Sequence, residues 1–327
     1  MRRMICAGLA AAAALATAGL ATAAPGAAAP ARGQDRPNAA DPEANIVEEL
    51  VVVARHPAPA WWRAEGHGAT VYILGLPDTP VPPDVSWRRE ELDERLTGAN
   101  SLIVGPRLHA GLEDIFGLFK LWSQLRTATP MEDALDPALR ARFVAARERV
   151  GKGPEPYRHW RPFAAGQFLL RDTRPAGSAD PTRAIRAEAS RHGVPVRAAG
   201  QYDLVPFART ALDSLTPQSE GACLASALED AEAGPEAYRA AAAGWARGDI
   251  AADLKAPRHF DRCLLLMAGG PQLWRRGTDD LAEAIVQALG TPVHAVAIAP
   301  LRRLLARDGV VDTLKARGVK VVGPGEE

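Results

Sequence analysis

The chain has 327 residues, 47% of them hydrophobic and 24% charged, and its 39 basic and 39 acidic residues leave a formal net charge of zero. A chain of that size and composition can bury a substantial core, as one large domain or two small ones. The even charge excludes the basic excess that tracks a phosphate backbone, so no nucleic-acid partner is expected.

Met1-Arg2-Arg3-Met4 is basic, and an Ala/Leu run from about Ala7 to Ala21 follows it, ending in Ala21-Thr22-Ala23. This is the pattern of a secretory signal peptide over residues 1–23: a charged start, a short apolar stretch and an A-x-A cleavage site. A membrane anchor is the alternative, which the short, Ala-dominated run disfavours. Cys6 has no lipobox before it. No later stretch is apolar enough to span a bilayer, so no membrane span is expected after cleavage and the protein should be periplasmic or secreted. Residues 24–44 are rich in Ala, Pro and Gly and read as a disordered tether, leaving 45–327 as the folded domain.

Order should begin near Ile46, with the apolar run Leu50-Val51-Val52-Val53 broken at His56-Pro57. Trp61 to Glu65, the turn Gly66-His67-Gly68, and Ala69 to Leu74 read as a β-hairpin whose second strand ends at Gly75-Leu76-Pro77-Asp78. His67 is expected as an exposed turn residue, and Trp61 and Trp62 as packing residues. A Pro-rich loop, a helix from Trp87 to Gly98 and a buried strand at Ser101–Val104 follow, the last ending at Gly105-Pro106-Arg107. Strand, helix and strand in short order favour parallel pairing. Helices are then expected over Leu112–Leu125, Pro137–Val150, Tyr157–Asp172 and Pro181–His192, with a short strand at Gly193–Val196. From Leu204 to Gly290 further helices are broken at Pro217, Gly234-Pro235, Pro257 and Gly269-Gly270-Pro271. Val293–Ala299 reads as a strand, Leu301–Leu314 as a helix containing Gly309, and Val319–Val322 as the last strand. The predicted class is α/β, with α+β possible: a central mixed sheet with a large helical middle segment packed around it.

In an exported chain Cys223 and Cys263 are expected to form a disulfide, two buried thiols being the alternative, and neither has a C-x-x-C partner for redox or zinc chemistry. No G-x-S-x-G, H-E-x-x-H, Walker A or Rossmann glycine pattern is present. The seven histidines are scattered and read as ordinary surface or core residues.

The order of elements is more telling than any single motif. A Trp-rich hairpin leads to a strand ending in Gly75, then helix and strand; near the C-terminus come Asp308-Gly309-Val310-Val311 and Leu314-Lys315-Ala316-Arg317-Gly318-Val319-Lys320-Val321. From about Trp61 to the C-terminus this resembles the TraB/GumN family of exported and membrane-linked proteins. The resemblance implies a single α/β-type domain and, in the best-understood relatives, metal-dependent peptidase chemistry. That chemistry depends on two G-x-x-H motifs and a Glu at the end of the second strand, whose side chains hold a divalent ion that activates water.

Each of those positions departs here. Gly75-Leu76-Pro77-Asp78 has Asp in place of the first histidine, and Pro300-Leu301-Arg302-Arg303 has Arg in place of the second; in the other register, Ala297-Ile298-Ala299-Pro300, the position is Pro. Gly105 stands where the Glu would be. A guanidinium has only donors and repels a cation, so the metal centre is expected to be lost and no cofactor is expected. If both strand ends still converge, Asp78 faces Arg303 as an ion pair with Arg107 nearby; alternatively these are solvated loop charges, or Arg107 and Arg303 bind an anion. Arg262, where the family carries an Arg-Asn pair, reads as a helix residue beside the disulfide. The candidate cleft is thus Gly75, Asp78, Gly105, Arg107 and Arg303, with no metal ligand and no assigned catalytic residue. The expected function is binding, of an anionic small ligand or an envelope protein, by a pseudo-enzyme. The alternatives are a divergent metal-dependent hydrolase using Asp78, with His109 as a possible partner, and an accessory protein of envelope or exopolysaccharide machinery.

Overall fold

The computed structural model describes residues 57–325. The expected leader, the tether and the apolar run before His56 lie outside the described residues.

The hairpin forms at the expected place. Strands β1 (Trp61–Gly66) and β2 (Ala69–Leu76) pair antiparallel, from Trp61 opposite Leu74 to Gly66 opposite Ala69. His67 and Gly68 both have positive φ, 51° and 78°, as a two-residue turn matching strand twist requires. His67 is exposed, and Trp61 and Trp62 are buried.

Helix α1 (Glu90–Leu96) and strand β3 (Leu102–Val104) follow. Next come a short strand β4 (Arg107–His109), a single 3-10 turn (Leu112–Asp114), and helices α2 (Ile115–Gln124), α3 (Met131–Ala134), α4 (Pro137–Arg149), α5 (Pro162–Thr173) and α6 (Pro181–Arg191). Helix starts follow local chemistry: Asp136 accepts from the N–H groups of Ala138 and Leu139, Asp180 accepts from Thr182, and a Pro occupies the first position of α4, α5 and α6. This corrects the expected start of α5 at Tyr157, since the chain stays non-helical until Pro162 and Trp160 bridges to Arg126.

Strands β5 (Val196–Ala198) and β6 (Gln201–Asp203) precede helices α7 (Leu204–Asp213), α8 (Pro217–Ala246), α9 (Ile250–Leu254), α10 (His259–Leu266) and α11 (Gly270–Ala288). Helix α8 is kinked at Gly234, whose φ of 73° precedes Pro235. Strand β7 (Ala295–Pro300), helices α12 (Leu301–Leu305) and α13 (Val310–Ala316), and strand β8 (Lys320–Val322) complete the fold. The single helix expected over Leu301–Leu314 is therefore two. Asp308 turns at φ 55°, and a side chain at Gly309 would meet the Ala306 carbonyl oxygen at 2.5 Å.

The six-stranded sheet has the order β5-β3-β7-β2-β1-β8, and β4 and β6 form a separate parallel pair. Strands β5, β3, β7 and β2 run parallel, while β1 is antiparallel to both β2 and β8. The parallel relation expected for β2 and β3 holds, but β7, from the far end of the sequence, lies between them. One face carries Val71, Ile73, Ile103 and Ala297 against Trp245, Leu281, Ile285 and Leu314. The other carries Leu74, Leu76, Val104 and Ile298 against Leu92 and Leu96 of α1 and Ile185 and Ala189 of α6. Helices on both faces of a largely parallel sheet make an α/β fold. A further helical layer has its own core of Phe143, Tyr157, Leu169, Leu224 and Leu228. Cys223 of α8 and Cys263 of α10 form a disulfide with Cα atoms 5.0 Å apart, among buried side chains of α2 and α7.

Candidate functional site at the ends of two parallel strands

Strands β2 and β7 are neighbours in parallel register, with Gly75 opposite Ala299 and Leu76 opposite Pro300. Two residues beyond each end stand Asp78 and Arg302. Arg302 Nε lies 2.7 Å from Asp78 Oδ2, and the two side chains are 1% and 8% exposed. The partner of Asp78 is therefore Arg302 rather than the expected Arg303, because strand register, not motif counting, sets which residues meet. The contact is a buried ion pair. Arg302 Nη2 donates to the carbonyl oxygens of Leu254 and Ala256, at the end of α9.

Asp253 of α9 is fully buried, and neither of its carboxyl oxygens has a hydrogen-bond partner. Burial, reinforced by the charge of Asp78, pushes its carboxyl well above the ordinary range against the pull of Arg302. Burial likewise raises Asp78 to about 7, outweighing Arg302, while Asp261 adds to the rise. The strand ends therefore hold the Arg302 guanidinium among carboxyl groups that burial biases toward their neutral forms.

In front of this pair lies a cavity of about 260 Å³. Asp78 and Thr79 line it from just beyond β2, Pro300 from the end of β7, Arg303 from α12, Gln167 from α5 and Arg174 from the residue after it, Asp230 and Tyr238 from α8, Arg258, His259 and Asp261 from the start of α10, and Trp274 from α11. Its place outside the carboxyl ends of parallel strands is where open α/β sheets take ligands. The Arg303 guanidinium sits 4.7 Å above the Trp274 ring, and Gly277 makes room for it, since a Cβ there would lie 2.8 Å from Nη1. Burial lowers the pKa of Arg303, and the charge of Asp261 opposes that shift.

His259 is 1% exposed. Its backbone N–H donates to Asp230 Oδ2 at 2.7 Å, and its Nε2 is 2.8 Å from the Gln167 amide nitrogen. Burial, with the cations Arg174 and Arg262, pushes the imidazole down to about 4, so it is neutral at pH 7. With Gln167 donating to Nε2, the ring proton belongs on Nδ1, which has no hydrogen-bond partner. Arg174 Nε and Arg303 Nε also lack partners.

Of the five expected cleft residues, Asp78 and Arg303 line the cavity. Gly75 lies in β2 just before it; its carbonyl accepts from Trp245 Nε1 at 2.7 Å, and a Cβ would come within 2.4 Å of Leu301 and 2.8 Å of Trp62. Gly105 follows β3, and a Cβ there meets nothing within 4 Å. Arg107 and His109 are exposed on β4, and neither they nor Gly105 line the cavity. Arg262 pairs with Glu229 and does not line it either. Sequence reasoning missed Arg302, Asp253, Asp261, His259 and Arg174. The only signal for them was ionisable residues set within apolar stretches, such as Asp253 in Ile250-Ala-Ala-Asp-Leu254.

Neither strand end supplies an imidazole. At the two positions where the resemblance puts imidazole ligands stand Asp78, engaged by a guanidinium, and Arg303, which has no lone pair to give. Elsewhere, Asp93, Glu188 and His192 bring ligand-type atoms within 4.8 Å of one another. There His192 Nε2 is 2.8 Å from Asp93, and Glu188 is paired with Arg191.

No curated protein and no solved structure matches the chain. The TraB/PrgY/gumN family model matches residues 60–322, which begins just ahead of the Trp-rich hairpin, takes in both strand ends and closes on β8. The match covers most of the chain, and the chain belongs to the TraB/PrgY/gumN family.

Proposed function

We propose that this protein is a binding member of its family, working in the cell envelope without the metal-peptidase chemistry that the family resemblance implies. The observation that carries the reading is the ion pair between Asp78 and Arg302, 2.7 Å apart at adjacent strand ends, with a second guanidinium, Arg303, beside it. A fixed buried cation there opposes a metal ion by charge and supplies no ligand. Export is supported by the basic start and apolar run of residues 1–23 and by the disulfide. Among the described residues no helix is long and apolar enough to cross a membrane.

The ligand we infer is a small carboxylate, such as a sugar acid. Arg174 Nε, His259 Nδ1 and Arg303 Nε are donors awaiting acceptors. The carboxylates of Asp78 and Asp230 already face Arg302 and the His259 N–H. Guanidinium groups bind carboxylates with two parallel hydrogen bonds, and Trp274 holds the Arg303 plane. Calorimetric titration with glucuronate, galacturonate and succinate tests this. Binding to the wild type, weakened at least about tenfold in Arg303→Gln by loss of a charge-assisted bond, is expected. Binding that is indifferent to Arg303→Gln, or no binding of any of the three, contradicts it.

One observation favours a second reading, a divergent hydrolase. Asp78, raised to about 7 and lining the cavity, has the proton affinity of a general acid or base at neutral pH. Hydrolysis of peptide substrates that Asp78→Asn abolishes would establish it.

A further inference from the structure

Helix α2 is apolar on two sides. On one side Leu121 is buried, and Gly117 comes so close to Val205 of α7 that a Cβ there would lie 2.6 Å from Val205 Cγ1. On the other, Leu112, Ile115, Phe116, Phe119 and Trp122 follow one another at helical spacing and are 85%, 54%, 86%, 73% and 53% exposed. At its end Trp122 meets Trp160 edge-on, ring centroids 4.8 Å apart, while Leu112, Phe116 and Phe119 stand largely open. A helix that is apolar all round belongs in an interior.

We propose that α2 is the seam of a two-fold dimer of this chain, in which the stripe from Leu112 to Trp122 packs antiparallel on the same stripe of a second copy. Two observations select a second copy as the occupant. The first is area. From these exposures the five side chains present roughly 800 Å², more than the largest patch of a typical monomer, and about what each partner contributes to a stable interface. The second is charge. The helix has Glu113 and Asp114 at its start, with Lys120 and Arg126 toward and beyond its end. An antiparallel pair related by a two-fold axis at the level of Gly117 sets Leu112 against Trp122 and Ile115 against Phe119. The same axis sets Asp114 of each copy against Lys120 of the other. A self-complementary patch of this kind closes at two copies and leaves no open end.

The test is sedimentation velocity on the purified protein, wild type beside Phe116→Glu/Phe119→Glu. Both positions are exposed in the single chain, so a far-ultraviolet circular dichroism spectrum like the wild type's confirms that the variant folds. The expected result is a wild-type dimer and a variant whose self-association is weakened at least about a hundredfold, as loss of two central aromatic anchors implies. In a mixture, Ile115→Cys and Phe119→Cys copies should cross-link to each other in preference to themselves, as antiparallel packing requires. A wild type that stays monomeric up to about 100 μM, where an interface of this size should be populated, overturns the proposal. So does a dimer that survives the double substitution. A monomer that instead floats with phosphatidylglycerol vesicles also overturns it and assigns the stripe to a lipid surface.

Discussion

Replacing Asp78 by Asn removes a titrating group from the strand ends while keeping its shape. In the folded protein burial raises this carboxyl from 3.8 to about 7. Rather more than three pH units at about 1.4 kcal/mol each amount to on the order of 4 kcal/mol. The unfolded chain loses the proton near pH 4 and the folded chain near pH 7, so between those values the folded state binds more protons. The wild type therefore loses stability through this group as pH rises. Asn has no proton to lose, so Asp78→Asn should gain on the wild type by on the order of 4 kcal/mol between pH 4 and pH 8, with little further change above. His259 works in the opposite sense. Its pKa is pushed from 6.5 to about 4, so it adds stability as pH rises through that interval. The wild-type profile also carries Asp230, Asp253 and Asp261, which burial raises as well, so Asp78 is read from the difference between the two proteins. Urea unfolding followed by tryptophan fluorescence, at fixed ionic strength and half-unit pH steps, measures it. A difference that is flat with pH would refute the balance drawn here. One that falls with rising pH would show that Arg302 holds the folded-state carboxyl of Asp78 below its ordinary value.

Other parts of the structure make separate predictions. Cys223→Ser/Cys263→Ser opens a loop of sequence separation 40 and should lower unfolding stability by about 4 kcal/mol in the chain-entropy account, read as a shift in the urea midpoint. Dithiothreitol should lower the wild-type midpoint to a similar degree and leave the variant unmoved. Gly75→Ala forces a methyl against Leu301 and Trp62, both almost fully buried, and should cost about 1–3 kcal/mol. An alanine tolerated there without loss would show that the two side chains have room to move.

Much of the frame was legible in the sequence, because its signals are local. The hairpin turn His67-Gly68, the Pro-initiated helices α4, α6 and α8, and the breaks at Pro217, Pro257 and Gly269 each announce themselves within a few residues. The short polar strands β4 and β6 escape, because three residues are too few for their alternation to register. Gly309 was read inside a helix because Leu301, Leu304 and Leu314 share a helical period, yet Asp308 turns the chain between them.

The site was legible by halves. Asp78 and Arg303 were found from the motif positions, but the ion-pair partner proved to be Arg302. The register that pairs Leu76 with Pro300 joins strands more than two hundred residues apart and leaves no trace in either segment. Asp253, His259, Asp261 and Arg174 reach the strand ends only through the packing of α5, α9 and α10. No local pattern reports that.

Under the proposed reading the buried Arg302 guanidinium, engaged with Asp78, takes the place of a metal ion. Elemental analysis of the protein after incubation with zinc, manganese and cobalt, followed by desalting, tests it most directly. The expected result is no stoichiometric ion at the strand ends, and the same trace content in wild type and Asp78→Ala. About one ion per chain, lost in Asp78→Ala, would contradict it and restore a metal centre to the site.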